Sequence, residues 1–125
     1  YFKDYVYWGG SHKISAWIAL DDATLANGCL KIVPDSHREA VEHESFDAPE
    51  GFDKRINEET GVDISKVVDV PLEAGSVLLF HDWLFHASHP NSSGADRYCL
   101  IPTFRSTVQP DSSTVWETTT PTPIE

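Results

Sequence analysis

The sequence contains no methionine, only two cysteines, and 9 basic side chains against 20 acidic ones. The shortage of positive charge leaves a formal net charge of −11 and a pI near 4.7. A chain of that sign is a poor partner for a phosphate backbone, because nucleic-acid binding needs a basic face that displaces counterions. It is equally a poor partner for an anionic bilayer surface. No stretch approaches the roughly 20 apolar residues that span a membrane, and the N-terminus lacks a positively charged segment leading into an apolar run. The expectation is a soluble, cytoplasmic protein with neither nucleic acid nor membrane as a partner. Cys29 and Cys99 each sit inside an apolar, strand-like run, where a thiol acts as a small buried hydrophobe, so no disulfide is expected. Without a methionine, and opening on Tyr1-Phe2-Lys3-Asp4-Tyr5-Val6-Tyr7-Trp8, the chain reads as a strand already under way and hence as a fragment of a longer domain.

Hydrophobic residues make up 40% of the 125 positions and aromatics 11%, enough for one domain with a modest core. Short apolar or alternating runs rich in aromatic and β-branched residues occur at Tyr5–Trp8, Lys13–Leu20, Cys29–Val33, Val67–Leu72, Ser76–Phe80, Trp83–Ala87 and Tyr98–Phe104. These predict seven strands and a mainly β fold. Turn signals separate them at Gly9-Gly10, Asn27-Gly28, Pro34-Asp35, Ala74-Gly75 and Asn91-Ser92-Ser93-Gly94, and the gaps are mostly too short for crossover helices. From Arg38 to Lys66 the chain is polar and acidic, with no helical stripe beyond a turn near Arg38–Glu44. A loop of that length is either a lid over a site or an inert excursion. The segment Thr107–Glu125 is rich in Thr, Ser and Pro and is expected to be a disordered tail, leaving residues 1–106 as the domain.

Three histidines fall within nine residues in Phe80-His81-Asp82-Trp83-Leu84-Phe85-His86-Ala87-Ser88-His89. The two-residue period of a strand puts His86 and Ser88 on one face and His81 on the other, so the three cannot share a metal without a turn between them. A lone histidine in an apolar strand is more often structural than a ligand, and Arg97 alone would read as a surface residue at a strand end.

The surrounding motifs change that reading. Gly75-Ser-Val-Leu-Leu-Phe-His81, then His86-Ala-Ser88, Asn91-Ser-Ser93 and Arg97, follow Ala16-Trp17-Ile18-Ala19-Leu20-Asp21, Asn27-Gly28-Cys29-Leu30 and Val33-Pro34-Asp35-Ser36-His37. In this order they resemble the phytanoyl-CoA dioxygenase family of Fe(II)- and 2-oxoglutarate-dependent oxygenases, and the resemblance runs from Tyr1 to about Phe104. It implies a double-stranded β-helix, a jelly-roll of two facing antiparallel sheets, incomplete here at its N-terminus. It also implies that O2 and 2-oxoglutarate are consumed, that succinate and CO2 are released, and that a small organic substrate is hydroxylated. On the matching positions, Asp4 and His86 would bind iron, while Arg97, eleven residues after His86, and Ser88 would hold 2-oxoglutarate. Trp17 would either line the keto-acid pocket or serve as a core residue. The chemistry suits these residue types. Two histidines and one carboxylate on one face leave the other iron positions open for keto-acid and O2. A planar guanidinium fork matches a distal carboxylate better than an ammonium does.

One position departs from the pattern. The family carries a His-x-Asp pair, whereas Phe2 precedes Asp4 here, and phenylalanine has no lone pair to donate. The resemblance therefore leaves two readings open: an active dioxygenase, or an impaired relative that keeps the jelly-roll as a small-molecule binding or structural module. A metal-binding cupin or isomerase would need a His-x-His pair, which the sequence lacks. Among the other histidines, His12, His81 and His89 are weak substitutes for the missing ligand. His37 is expected to be structural and His43 solvated. Asp35 stands where the family usually has glycine, and aspartate tolerates a left-handed turn better than most residues.

Overall fold

A computed structural model describes residues 13–38, 43–45, 54–56, 63–106 and 108. These residues form nine short strands and two single turns of 3-10 helix, at Ser36–Arg38 and Ile64–Lys66. The strands are β1 (Lys13–Ala19), β2 (Leu30–Ile32), β3 (His43–Ser45), β4 (Lys54–Ile56), β5 (Val68–Val70), β6 (Val77–His81), β7 (His86–Ser88), β8 (Cys99–Leu100) and β9 (Thr103–Arg105). Among the described residues no helix is long and apolar enough to cross a membrane.

β1 is the spine of the larger sheet. It pairs antiparallel with β6 on one side, Trp17 opposite Leu78 and Ser15 opposite Phe80. On its other side β8 meets Ile18–Ala19 and β9 meets Lys13–Ser15. β8 and β9 are thus two halves of one strand, broken at Ile101-Pro102. Proline has no N–H to donate to the ladder, but its carbonyl still accepts from Ala16 N–H at 2.9 Å. The smaller sheet runs β5-β2-β7, all antiparallel, with Leu30 opposite both Val70 and Ser88, and Ile32 opposite both Val68 and His86. β3 and β4 form a separate hairpin.

The two main sheets share one core. Trp17, Ala19 and Phe80 from the larger sheet pack with Leu30 from the smaller one and with Ala23, Cys29 and Leu84. A second cluster of Val33, Ile56, Phe85 and Ala87 lies on the other face of β7. Two facing antiparallel sheets joined by short turns make the double-stranded β-helix that the motifs imply. Three turn glycines adopt positive φ, Gly28, Gly75 and Gly94, and Asp35 does the same at φ 63°, as expected where it replaces glycine.

Several expectations need correcting. Trp83-Leu84-Phe85 is a turn rather than the start of a strand, because Leu84 N–H donates back to His81 O at 3.0 Å. Within the polar excursion β3 and β4 pair antiparallel, and a 3-10 turn lies just before it at Ser36–Arg38, while most of the expected turn near Arg38–Glu44 lies outside the described residues. Both cysteines are free, Cys29 buried and Cys99 half-buried against the core. Burial raises the Cys29 thiol pKa, with the Asp69 carboxylate adding in the same direction. The expected strand Tyr5–Trp8 and, apart from Val108, the tail 107–125 lie outside the described residues.

Candidate active site

The turn between β6 and β7 separates His81 from His86 and places them in different sheets. On β7, His86 and Ser88 share the inward face, opposite Ile32 and Leu30 respectively, and Leu30 belongs to the inter-sheet core. Ala87 points the other way, into the second cluster. His86 is 5% exposed, and its ring lies 5.0 Å from that of Phe80 across the sheets.

The ring orientation of His86 has a chemical consequence. Its Nδ1 is 2.8 Å from Leu84 O. A carbonyl oxygen can only accept, so Nδ1 carries the proton and Nε2 the lone pair. This is the tautomer a histidine needs to bind a metal through Nε2, with a backbone carbonyl fixing the ring from behind.

Arg97 is held by the turn that leads into β2. Its Nη2 donates to Gly28 O at 3.0 Å and its Nε to Asn27 O at 3.4 Å, while the guanidinium carbon sits 5.0 Å over the Trp17 ring. Trp17 is 2% exposed, so it is at once a core residue and a platform, and cation–π attraction orients the fork. The local sequence explains the cradle. Asn27 Oδ1 accepts from Thr24 N–H at 2.7 Å and its Nδ2 donates to Asp22 O at 2.8 Å, while Asp21 Oδ2 accepts from Tyr98 N–H at 2.8 Å. The Leu-Asp-Asp and Asn-Gly strings thereby fix both the turn and the residue next to Arg97. A Cβ on Gly28 would meet His89 O at 3.1 Å and Arg97 Nη2 at 3.4 Å, and Gly28 has φ +97°, so only glycine fits without strain.

Ser88 is exposed and opposes Leu30, two residues along the segment whose Gly28 carbonyl holds Arg97. Ser88 is thus paired close to the backbone that holds Arg97, although among the described residues no hydrogen bond joins the two side chains. Asp4, the other expected iron ligand, and Phe2 lie outside the described residues, as does His12. Among the described residues no three His, Cys, Asp or Glu side chains gather as a metal site. His81 and His89 are engaged elsewhere. Trp83 N–H donates to His81 Nδ1 at 3.1 Å, and Asp82 Oδ1 lies 2.9 Å from the same nitrogen. His89 Nε2 is 2.6 Å from Asp69 Oδ1. His37 sits in the 3-10 turn with its ring 5.7 Å from that of His81. The described donors thus fit one imidazole ligand and one carboxylate anchor of an iron and 2-oxoglutarate site. Sequence reasoning did not identify the Asn27 and Gly28 carbonyls or Phe80 as parts of this arrangement. The Asn-Gly turn was legible as a turn, but its role as a cradle depends on a contact about 70 residues away in sequence.

The chain is similar in sequence and in fold to known proteins. The family model for phytanoyl-CoA dioxygenase (PhyH) matches residues 3–99. Phytanoyl-CoA dioxygenase domain-containing protein 1 of Danio rerio is 31% identical over 106 residues, covering 82% of this chain and 35% of that protein. Its homologue from Caenorhabditis briggsae is 33% identical over 95 residues, covering 70% and 32%. The chain therefore spans about a third of the length of these relatives. Among solved structures, EvdO2 from Micromonospora carbonacea var. aurantiaca superposes with a TM-score of 0.73 at 25% identity, covering 84% of this chain and 44% of that one. SnoK, a non-heme alpha ketoglutarate dependent carbocyclase from nogalamycin biosynthesis, gives 0.63 at 25% identity, covering 84% and 43%. The motifs, the paired sheets and these matches together establish that the chain belongs to the phytanoyl-CoA dioxygenase family.

Proposed function

We propose that this chain supplies metal and keto-acid anchors of an Fe(II)- and 2-oxoglutarate-dependent oxygenase, which uses O2 to hydroxylate a small organic substrate and releases succinate and CO2. The observation that carries the proposal is the convergence, on the inner faces of two sheets, of a buried His86 with its lone pair on Nε2 and an Arg97 fork laid over Trp17. The likeness to SnoK, described as alpha ketoglutarate dependent, supports the same reading.

In this account His86 and Asp4 hold the iron, and Arg97 with the Ser88 hydroxyl holds the distal carboxylate of 2-oxoglutarate. Bound there, Fe(II) would supply the redox chemistry that couples O2 to decarboxylation of the keto-acid. The chain's own residues position and shield. Leu84 O keeps the His86 proton on Nδ1, Trp17 and the two turn carbonyls hold the guanidinium in place, and Phe80 covers one side of the imidazole. A guanidinium already oriented loses little freedom on binding, so more of the charge-assisted bond appears as affinity.

The test is calorimetric titration of 2-oxoglutarate into the protein encoded by the full reading frame, with Mn(II) as an inert surrogate metal. Arg97→Lys should weaken binding at least tenfold, since loss of a charge-assisted hydrogen bond costs about 1.5 to 3 kcal/mol and about 1.4 kcal/mol is tenfold. Equal affinity in both proteins would remove Arg97 from the site. The second reading, an impaired relative, rests on Phe2 two positions before Asp4. Fe(II)-dependent succinate formation by the unmodified protein would eliminate it.

A further inference from the structure

The Val33-Pro34-Asp35-Ser36-His37 string supplies neither the imidazole nor the guanidinium of the site. It reaches the site through the backbone. Asp35 takes φ 63°, and Arg38 Nε and Nη2 donate to its Oδ1 at 3.2 and 2.9 Å, which braces the 3-10 turn over Ser36–Arg38. Ser36 N–H donates back to Val33 O at 3.3 Å. The reversal sets the half-buried Ser36 beside the segment that enters β7, 49 residues later, where Phe85 N–H donates to Ser36 Oγ at 2.8 Å. Val33 N–H donates to Phe85 O at 3.0 Å, so Phe85 is held by both of its backbone polar groups.

The bond to Ser36 bears on His86 because of the peptide it holds. Phe85 N–H and Leu84 C=O belong to one peptide unit, planar and trans, so they point in opposite directions and turn together. Leu84 O is the atom 2.8 Å from His86 Nδ1. One side of the unit is thus tied to Ser36 and the other to the imidazole. Leu84 N–H, on the preceding unit, is tied to His81 O at 3.0 Å. An enclosed N–H that loses its acceptor is costly, so without the Ser36 hydroxyl the unit tilts toward another partner. Any tilt carries Leu84 O off the line of the Nδ1–H bond, and the hold on that tautomer weakens.

We propose that Ser36 is a positioning residue for the metal ligand: through the Leu84–Phe85 peptide unit it keeps the His86 proton on Nδ1 and leaves the lone pair on Nε2 available to a metal. The left-handed turn at Asp35 is what delivers its hydroxyl. This inference rests on the assignment of His86 as an iron ligand, but the tautomer belongs to the metal-free protein, so the two can fail separately. Ser36 acts one contact further out than Leu84 O. Its loss should therefore weaken metal binding by less than the roughly tenfold to hundredfold that follows loss of a direct partner of a metal-binding histidine. Threonine would keep the oxygen acceptor, cysteine would offer a weak sulfur acceptor, and alanine none.

The experiment uses the protein of the full reading frame and its Ser36→Thr, Ser36→Cys and Ser36→Ala variants, with the histidine ring nitrogens isotopically labelled for NMR and the His86 signals identified by their loss in His86→Gln. Spectra of the metal-free proteins are taken at about pH 8.5, well above the ordinary imidazole value of about 6.5, so that the ring is neutral and its two tautomers are distinguished by their nitrogen shifts. The Nδ1–H form should dominate in the unmodified protein. Ser36→Ala should lower the ratio of Nδ1–H to Nε2–H by about threefold or more, the scale of one lost hydrogen bond, and calorimetry should show Mn(II) binding weakened by about threefold to tenfold. Ser36→Thr should restore both quantities, and Ser36→Cys should fall between. Should Ser36→Ala not fold, Ser36→Cys carries the comparison. An unchanged tautomer ratio in the folded variant overturns the proposal even where stability falls, since a purely structural serine would lower stability alone. A dominant Nε2–H form in the unmodified protein overturns it as well, and so does Mn(II) affinity that is lost in His86→Gln yet unchanged by the Ser36 variants. Mn(II) affinity unchanged even in His86→Gln would instead remove His86 as the metal ligand, and the role of Ser36 toward the metal with it.

Discussion

The two faces of β1 carry opposite chemistry, and not in the usual sense. Its inner face and the partners opposite hold Lys13, Ser15, Thr103 and Arg105 together with Trp17 and Phe80, while the outer face exposes Ile14, Val77, Leu79, Leu100 and Phe104. An antiparallel sheet with one solvated face normally places apolar groups inside and polar groups outside. Here Lys13 and Ser15 are buried on the inner face while Ile14 is exposed on the outer one. The apolar outer face is a surface that gains stability from being covered, since contiguous exposed apolar area marks an interaction site. The lesson is that hydrophobic alternation locates a strand without saying which of its faces is the working one.

The largest effect is expected at Trp17, where core and platform coincide. Trp17→Ala should cost about 3 to 5 kcal/mol in denaturant unfolding, and the remaining folded protein should also lose affinity for 2-oxoglutarate. A stability loss with unchanged keto-acid affinity would make Trp17 a core residue alone. Gly28→Ala is the next largest: positive φ and the close His89 carbonyl should cost about 1 to 3 kcal/mol. By displacing Arg97 it should weaken 2-oxoglutarate binding as well, which calorimetry would register. The smallest effect is expected on the outer face. Leu79, 65% exposed, replaced by lysine in this 125-residue chain, should change stability by no more than about 0.5 kcal/mol. The same change should reduce self-association in sedimentation. A cost of several kcal/mol would mean that the face is already buried.

Much of the fold was legible because local sequence and tertiary demand agreed. Lys13–Ala19 alternates, and the Asn-Gly and Pro-Asp strings fall on turns that need positive φ at Gly28 and Asp35. The failures have physical causes. Trp83-Leu84-Phe85 reads as a strand because all three are apolar, yet Leu84 N–H bonds back to His81 O and the chain turns there, so β7 begins only at His86. The β3–β4 hairpin uses His-Glu-Ser and Lys-Arg-Ile, too short and too polar to signal a strand. His86, Arg97, Ser88 and Trp17 are candidates that the motif order alone singles out. The tautomer of His86 and the carbonyl cradle of Arg97 depend on contacts that no local pattern encodes.

Anaerobic titration of Fe(II) into the full-reading-frame protein and two variants decides whether His86 with Asp4 holds the iron. That assignment predicts weak binding by the unmodified site, at least tenfold weaker binding in His86→Ala, and clearly tighter binding in Phe2→His, where an imidazole two residues before Asp4 can leave the same face of an extended segment. Fe(II) affinity unchanged in His86→Ala would contradict it.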